Sequence, residues 1–556
     1  MAFIVKKNIN GNDYYYLRES KRQGDKVISK CLAYLGKSRG EAQKKADEII
    51  KNLGKNKKDS GVMEEKKENV FASTAISIED MAAFCRRKGF VYRSGDIYGG
   101  LSGFWDFGNL GVELKNNLKR EWWKYHVYSR EDVVGIDGSI ITSPKVWESS
   151  GHVASFVDVA VVCKKCGFKT KIDKHELGKV KCEKCGAEYE NKGEFNPMFT
   201  TQVGPVKEDS IISYLRPETA QLIFADFKFV QENARMKLPF GIAQVGKAFR
   251  NEISPRDFLF RCREFEQMEI EYFVNPEEAC PYEIGETEIL VYDACMQKEN
   301  KEMQKMKFKE AFQKGIIKTK WHAYWLEQEY LWFISLGANP GKFRIRQHMS
   351  DEKSHYALDT WDLEYEFPFG WKELQGMANR GDYDLQQHMK YSKKDLSIFD
   401  EEKKKKIVPH VVCEPSQGVE RALLVFLFDA YYEDKERNNI ILKLHPKLSP
   451  IKAAVFPIVK KPEFEKIAEN VMKLLKQEWY VVYDRSGSIG RRYARNDEIG
   501  TPYCITIDGD SIKNKDVTIR DRDTTKQIRV KISDLKNTLR KLIEGEIEFE
   551  KAGKVL

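Results

Sequence analysis

The clearest periodicity in the chain lies between Gly246 and Phe273. Residues alternate with a period of two on either side of a polar turn, Ser254-Pro255-Arg256-Asp257, which predicts a β-hairpin. One face carries Arg250 and Glu252 on the first strand and Arg261, Arg263, Phe265, Gln267 and Glu269 on the second. The other face of the second strand, Glu266, Met268 and Ile270, is only partly apolar and needs helices to cover it. Helical periodicity predicts helices over Ile78–Lys88 and Val112–Tyr125 and a largely helical insertion from Pro276 to Leu336. A strand carrying Glu414 and Ser416 turns at Gly418 into a buried helix, with Arg421 in its first turn and the apolar run Ala422–Phe428 behind it. After His445 strands and helices alternate, which predicts a small α/β domain. At the other end, Tyr14–Ser20 and Val27–Leu35 read as strands around the turn Lys21–Asp25, and Arg39–Leu53 as an amphipathic helix, giving a ββα-like module.

Composition changes this picture in two places. The 556 residues, 41% hydrophobic and 32% charged, describe a globular protein of several domains; no run is long and apolar enough to span a bilayer, so a cytoplasmic protein is expected. The net charge of +9 is concentrated at the start, where residues 1–60 hold fifteen Lys or Arg against seven Asp or Glu. Basic residues beside Tyr14, Tyr15 and Tyr16 suit RNA, or form a solvated face. Gly54–Glu68, rich in Lys, Glu, Gly and Ser, reads as a linker.

Two patterns carry chemistry. Guanidinium groups, one aromatic ring and carboxylates in fixed order along a hairpin suit a nucleotide beside an amino acid: arginine grips phosphate with two donors, and a carboxylate grips an ammonium. Cys163, Cys166, Cys182 and Cys185 form C-x2-C-x15-C-x2-C, each pair followed by a glycine, Gly167 or Gly186. That spacing predicts a closed, structural zinc site in a ribbon-like insertion over 160–190. The other seven cysteines have no disulfide-like spacing.

F-R-N-E followed by R-x-R-E-F, with the extension F-E-Q-M-E-I-E-Y-F, resembles the second signature motif of class II aminoacyl-tRNA synthetases, in its glycyl form. I-Y-G-G-L-x-G-F-W-D-F-G (97–108), the first motif around Pro144, R-P-E-T-A-Q (216–221) and V-V-C-E-P-S-Q-G-V-E-R (411–421) follow the same family in the same order. The resemblance covers roughly 77–556. It implies a catalytic domain at 77–444 built on an antiparallel sheet, interrupted by the zinc-ribbon-like insertion and a helical one at 275–340. It implies an anticodon-binding domain at 445–556; outside the resemblance, a basic module at 1–60 and a linker at 61–76 are expected. It implies ATP bound by Arg250, Asn251, Glu252, Arg261, Cys262, Phe265, Glu373, Leu374, Gly418 and Arg421, with Arg250, Glu252 and Arg421 catalytic. Glycine would meet Glu218, Glu269, Arg380, Glu414 and Ser416, and magnesium Glu373 or Glu414. It further implies a homodimer with Pro144 at the interface, a tRNA partner, and RNA contacts from Arg485, Arg491, Arg492 and Arg495. The alternative, a catalytically silent homologue that only binds RNA, is expected to have lost phosphate-binding residues, and Arg250, Glu252 and Arg421 are present.

Overall fold

The predicted hairpin forms part of a nine-stranded sheet in the computed structural model, which describes residues 2–9, 12–23, 26–36 and 73–556 except 173–176, 207–209, 351, 353–356 and 402, with backbone alone over 2–36. The strand order is Gln304–Lys307, Glu288–Tyr292, Phe343–Gln347, Asp359–Phe367, Gly370–Asn379, His410–Gly418, Glu264–Val274, Phe240–Phe249, Val133–Ile136. Neighbours are antiparallel except at Val133–Ile136 with Phe240–Phe249 and Glu288–Tyr292 with Phe343–Gln347.

Odd-numbered residues of Glu264–Val274 face one side of this sheet and even-numbered ones the other. Met268, Ile270 and Tyr272 are buried in the core with Leu114, Leu118 and Trp122 of helix Asn109–Trp123 and Leu423 and Leu427 of helix Val419–Ala430. The polar member of that face, Glu266, receives two cations from the covering helix: Lys115 at 2.9 Å and Lys119 at 2.8 Å. Lys115 also pairs with Glu420 at 2.8 Å, and Glu420 accepts the Glu266 amide at 2.9 Å. The charges expected to need cover are thus neutralised within it.

Local signals hold up well in the helices. Ile78–Lys88 starts where Ser77 accepts the Asp80 amide and stops at Gly89, φ 82°. The glycine-rich run predicts tight turns at Gly99, Gly100, Gly103, Gly108 and Gly111; the first three take positive φ, but Gly108 has φ −72° and Gly111 lies inside helix Asn109–Trp123. At Gly111 the need is for space: a Cβ would stand 1.8 Å from the Phe90 carbonyl oxygen. Gly111→Ala would gain about 1 kcal/mol of helix propensity, but the obstacle is backbone, and overpacking of this kind costs about 1–3 kcal/mol. The expected net result is a melting temperature lower by a few degrees, read by thermal denaturation.

Two expectations are corrected here. The stretch from Pro276 to Leu336 is mixed rather than helical: Glu288–Tyr292 and Gln304–Lys307 extend the central sheet, and only Lys320–Ser335 is a long helix. That helix buries Trp321, Trp325 and Trp332, so its aromatic residues are core. In the unit Met1–Val70, three antiparallel strands, Ala2–Ile9, Asn12–Gln23 and Lys26–Gly36, replace the expected two. Lys21 and Arg22 belong to the second strand, and Gln23 pairs with Lys26. The expected helix Arg39–Leu53 and most of the linker lie outside the described residues.

The C-terminal part is the α/β domain expected. Its sheet runs Val481–Tyr483, Ala453–Pro457, Tyr503–Ile507, Asp516–Asp521, Gln527–Lys531, Lys554–Val555, parallel among the first three strands and antiparallel thereafter. Helices Pro462–Leu475 and Ile532–Glu544 bury Ala468, Val471, Leu475, Leu535 and Leu539 in its core. Arg492 is withdrawn from RNA contact because it is buried, donating to the carbonyls of Pro457 and Gly487, whereas Arg485, Arg491 and Arg495 are exposed. Among the described residues no helix is long and apolar enough to cross a membrane.

Candidate active site

On the odd-numbered face of Glu264–Val274 lies a cavity of about 380 Å³. Arg250, Glu252, Arg261, Cys262, Phe265, Glu373, Leu374, Gly418 and Arg421 line it, with Glu218, Glu269, Glu414 and Ser416. Six segments supply these residues, and the sheet register brings the strands together: Glu269 pairs with Ser416, Ser416 with Gly376, and Gly376 with Asp362 in one row across four strands.

At one end the hairpin's strands stop at Phe249 and start again at Glu264, so Arg250, Glu252, Arg261 and Arg263 belong to the loop. Arg263 does not face the cavity; its guanidinium donates to the Glu252 and Ser102 carbonyls and closes the loop. Phe258, Leu259 and Phe260 are buried, so only the first half of the loop is open to a partner. Arg250 donates to the Pro217 carbonyl at 3.0 Å and lies over the Phe265 ring at 5.5 Å. Asn251 is exposed, its amide bound to the Pro197 carbonyl at 2.7 Å. Glu252 is buried with Oε2 lacking a hydrogen bond, and Lys171 approaches it at 3.5 Å. The side chains of Cys262 and Leu374 belong to the hydrophobic core at the cavity wall.

Arg421 is the third residue of helix Val419–Ala430. It donates to the Glu373 carbonyl at 2.9 Å, meets that carboxylate at 3.3 Å and lies 4.5 Å over the Phe260 ring. Gly418 has φ −75°, open to any residue, so it is not the turn expected; it leaves the wall beside Arg421 bare.

At the other end carboxylates converge. Glu218 is not in the helix it precedes, Ala220–Ala234, but on the connection into it. Burial alone would raise its carboxyl, but His152, Arg380 and Arg250 hold it well below the usual range. Glu269 accepts from Ser416 Oγ at 2.6 Å and from Thr219 Oγ1. Burial and the Glu218 charge raise it all the same. Arg380, expected to line the pocket, is 1% exposed and lies behind it. It forks onto Asp384 at 2.7 and 2.9 Å and reaches Glu414 at 2.6 Å. Glu373 and Glu414 do not meet: Glu414 pairs with Ala378, five residues along the strand from Glu373, or roughly 16 Å at about 3.3 Å per residue. Buried Glu271 sits under this end, its oxygens without hydrogen-bond partners. Burial and the Glu414 charge push its carboxyl well up, which suits a neutral acid.

Residues that the sequence reading missed are Lys171, Thr360, Asp362 and His348, all lining the cavity. His348 Nε2 lies 2.7 Å from Asp362 Oδ2. The strand pattern of W-D-L-E would have put Asp362 on the face of Glu364, but nothing local says that this face meets the cavity.

The four cysteine Sγ atoms lie within 4.8 Å of one another. Cys163 and Cys182 each begin a tight turn, closed by Gly167 N–H to the Cys163 carbonyl at 3.1 Å and Gly186 N–H to the Cys182 carbonyl at 2.7 Å. Both glycines have positive φ, 68° and 70°, which is why glycine follows each pair. None of the four is in a disulfide; Cys163 ends strand Asp158–Cys163 of a three-stranded sheet with Tyr189–Phe195 and Lys169–Ile172, and the other three lie in the turns that join these strands. Pro144, expected at an interface, opens helix Pro144–Ser149.

Residues 199–429 match the family described as tRNA synthetase class II core domain (G, H, P, S and T), and 452–542 match the anticodon binding domain. The glycine–tRNA ligase of Streptomyces coelicolor is 42% identical over 501 residues, covering 85% of this chain and 99% of its own. That of Borreliella burgdorferi is 43% identical over 468 residues, covering 83% and 96%. A solved prolyl-tRNA synthetase from Cryptosporidium parvum, complexed with halofuginone and AMPPNP, shares the fold with a TM-score of 0.51 at 15% identity, over 86% of this chain and 79% of that one. With the catalytic sheet, the α/β domain and relatives this similar along nearly their whole length, the chain belongs to the glycine–tRNA ligases, a family of class II aminoacyl-tRNA synthetases.

Proposed function

We propose that this chain attaches glycine to its tRNA in two steps. The glycine carboxylate attacks the α-phosphorus of ATP, releasing pyrophosphate, and the terminal ribose hydroxyl of the tRNA then takes the glycyl group from the adenylate. The observation that carries this reading is a single cavity with arginines at one end and carboxylates at the other. Phe265 offers a face to the adenine, and the buried Glu252 carboxylate, its Oε2 beside Lys171 but without a hydrogen bond, an acceptor for its amino group. Arg250 serves the α-phosphate, Arg261 the outer phosphates and Arg421 the departing pyrophosphate. No side chain acts as a covalent nucleophile; positioning and charge neutralisation lower the barrier.

Glu218 and Glu269 take the glycine ammonium, with Ser416 holding Glu269. Glu414 lines the same end with Arg380 behind it, and crowding by these groups excludes larger amino acids. Magnesium, when bound with ATP, would neutralise the outer phosphates. Glu373, beside Arg421 and half-exposed, fits such an ion; Glu414, paired with Arg380 through one oxygen, stands within metal-binding reach of Glu269 and Glu271. The anticodon-binding domain serves the tRNA. Homodimerisation through the segment around Pro144, a cytoplasmic location, and RNA binding by residues 1–60 belong to the same reading.

The direct test is exchange of labelled pyrophosphate into ATP with glycine, alanine, serine, proline, threonine or histidine. Exchange with glycine alone is expected; equal exchange with alanine would sink the exclusion argument. Exchange with none would favour the silent homologue.

We also assign zinc to the four cysteines, because four thiols within bonding reach of a common centre and two glycine-closed turns suit a tetrahedral ion. Arg256 of the hairpin loop pairs with Glu183 between the second cysteine pair, and Lys171 of the same small sheet reaches Glu252. Elemental analysis is expected to find one zinc per chain. Cys182→Ser is expected to lose it and to raise the KM for ATP severalfold more than that for glycine; full metal content in that variant would refute the assignment.

A further inference from the structure

Two consecutive serines at the end of helix Pro144–Ser149 stand behind the glycine end of the cavity. Ser150 Oγ lies 2.8 Å from His152 Nδ1, and His152 Nε2 lies 3.2 Å from Glu218 Oε2. Ser149 Oγ lies 3.2 Å from His388 Nδ1, His388 Nε2 lies 3.1 Å from Gln221 Oε1, and Gln221 Nε2 donates to Glu218 Oε1 at 3.2 Å. Both oxygens of one carboxylate are therefore held from behind, by relays that start on adjacent residues.

The directions follow from the donors. The Gln221 amide nitrogen faces two carboxylates, Glu218 and Asp384 at 2.9 Å, so its oxygen must face His388 and accept from it. Glu218 accepts from His152 Nε2–H on its other oxygen. His152 is itself fixed: it is buried, its ring edge-on to Trp147 at 5.3 Å and to Phe156 at 5.6 Å. A carboxylate tethered at both oxygens cannot swing, and the lone pairs it has left are those turned to the cavity it lines. A group that must meet a small ammonium gains most from such fixing, because glycine has no side chain to orient it.

We infer that His152 is a positioning residue for glycine, which with Ser150 and the Gln221–His388–Ser149 relay holds the Glu218 carboxylate against the substrate ammonium. This rests on the assignment of Glu218 to that ammonium. It makes the segment 147–152, which supplies Trp147, Ser149, Ser150 and His152, a determinant of amino-acid affinity although only Glu218 lines the cavity.

The test is a set of steady-state measurements by pyrophosphate exchange on the full chain. His152→Leu is expected to raise the KM for glycine five- to tenfold while kcat and the KM for ATP change less than twofold. His152→Gln, whose amide can still donate to Glu218, is expected to recover most of that loss, and Ser150→Ala, which leaves the imidazole in place, to raise the glycine KM two- to threefold. Glu218→Gln should raise the glycine KM by itself, and adding His152→Leu to it should have little further effect. Loss of recovery in His152→Gln, a parallel rise in the KM for ATP, or an undiminished His152→Leu effect on the Glu218→Gln background would each overturn the inference. Should His152→Leu fold poorly, Ser150→Ala and the double variant with His152→Gln decide. A Glu218→Gln enzyme with normal glycine KM would instead refute the assignment of Glu218.

Discussion

Arg250→Ala is expected to reduce glycine-dependent pyrophosphate exchange by about 10²–10³-fold, the loss typical of one preorganised donor to a developing oxyanion, while tRNA affinity changes less than threefold. The geometry adds a second consequence. Arg250 Nε donates to the carbonyl of Pro217, the residue before Glu218, so truncation also frees the connection that carries Glu218, the residue proposed to meet the ammonium. The KM for glycine should therefore rise with the fall in kcat, whereas Arg421→Ala, which removes contacts to Glu373 and Phe260, should spare it. Lost tRNA binding with intact exchange would contradict the assignment of Arg250 to the phosphate.

The affinity for glycine is expected to depend on pH through Glu414. Burial, and behind it the charges of Glu269, Glu218 and Asp384, push its carboxyl up to about 8 against the pull of Arg380. In the free enzyme Glu414 is then largely protonated at neutral pH. An incoming ammonium favours the ionised form, so binding releases a proton below that value. As pH rises from about 6.5 to 8 the KM for glycine should fall by about tenfold or more, each pH unit below the pKa counting for up to tenfold, and then level off. Glycine keeps its ammonium proton throughout that range. Glu414→Gln should flatten the profile, while the KM for ATP serves as the control. A glycine KM indifferent to pH in the unaltered enzyme would mean that Glu414 keeps its charge, or lies too far from the ammonium to feel it.

Arginines illustrate how far local reading reaches. Arg216, Arg250, Arg261, Arg263, Arg380, Arg421 and Arg492 look alike in sequence, each beside a motif. The fold consumes four of them: Arg216 on the Lys247 and Gly138 carbonyls, Arg263 on those of Glu252 and Ser102, Arg380 on Asp384 and Glu414, Arg492 on Pro457 and Gly487. Even Gly246 is tied to this, since a Cβ there would stand 2.1 Å from the Arg216 guanidinium. Only Arg250, Arg261 and Arg421 of the seven line the cavity. Similarly, Ala2–Ile9 escaped notice because its apolar residues are contiguous rather than alternating, although the Asn10-Gly11 pair before Asn12 is a hairpin signal.

The sequence by itself determined what short-range chemistry controls. The faces of Glu264–Val274 follow from a period of two, the ends of Ile78–Lys88 from Ser77 and Gly89, the two glycine-closed cysteine turns from Cys-x-x-Cys-Gly, and the C-terminal domain from alternating patterns. The tertiary structure decided what depends on partners distant in the chain. Pairing Glu269 with Ser416, Ser416 with Gly376 and Gly376 with Asp362 needs the register of four strands separated by up to 147 residues, which no local pattern encodes. The same packing turned equivalent carboxylates into opposites: Glu218, beside His152, Arg380 and Arg250, is held well below the usual carboxylate range, while Glu271, buried beside Glu414, is pushed well above it. Burial and neighbouring charge set those states, and both are properties of the assembled fold.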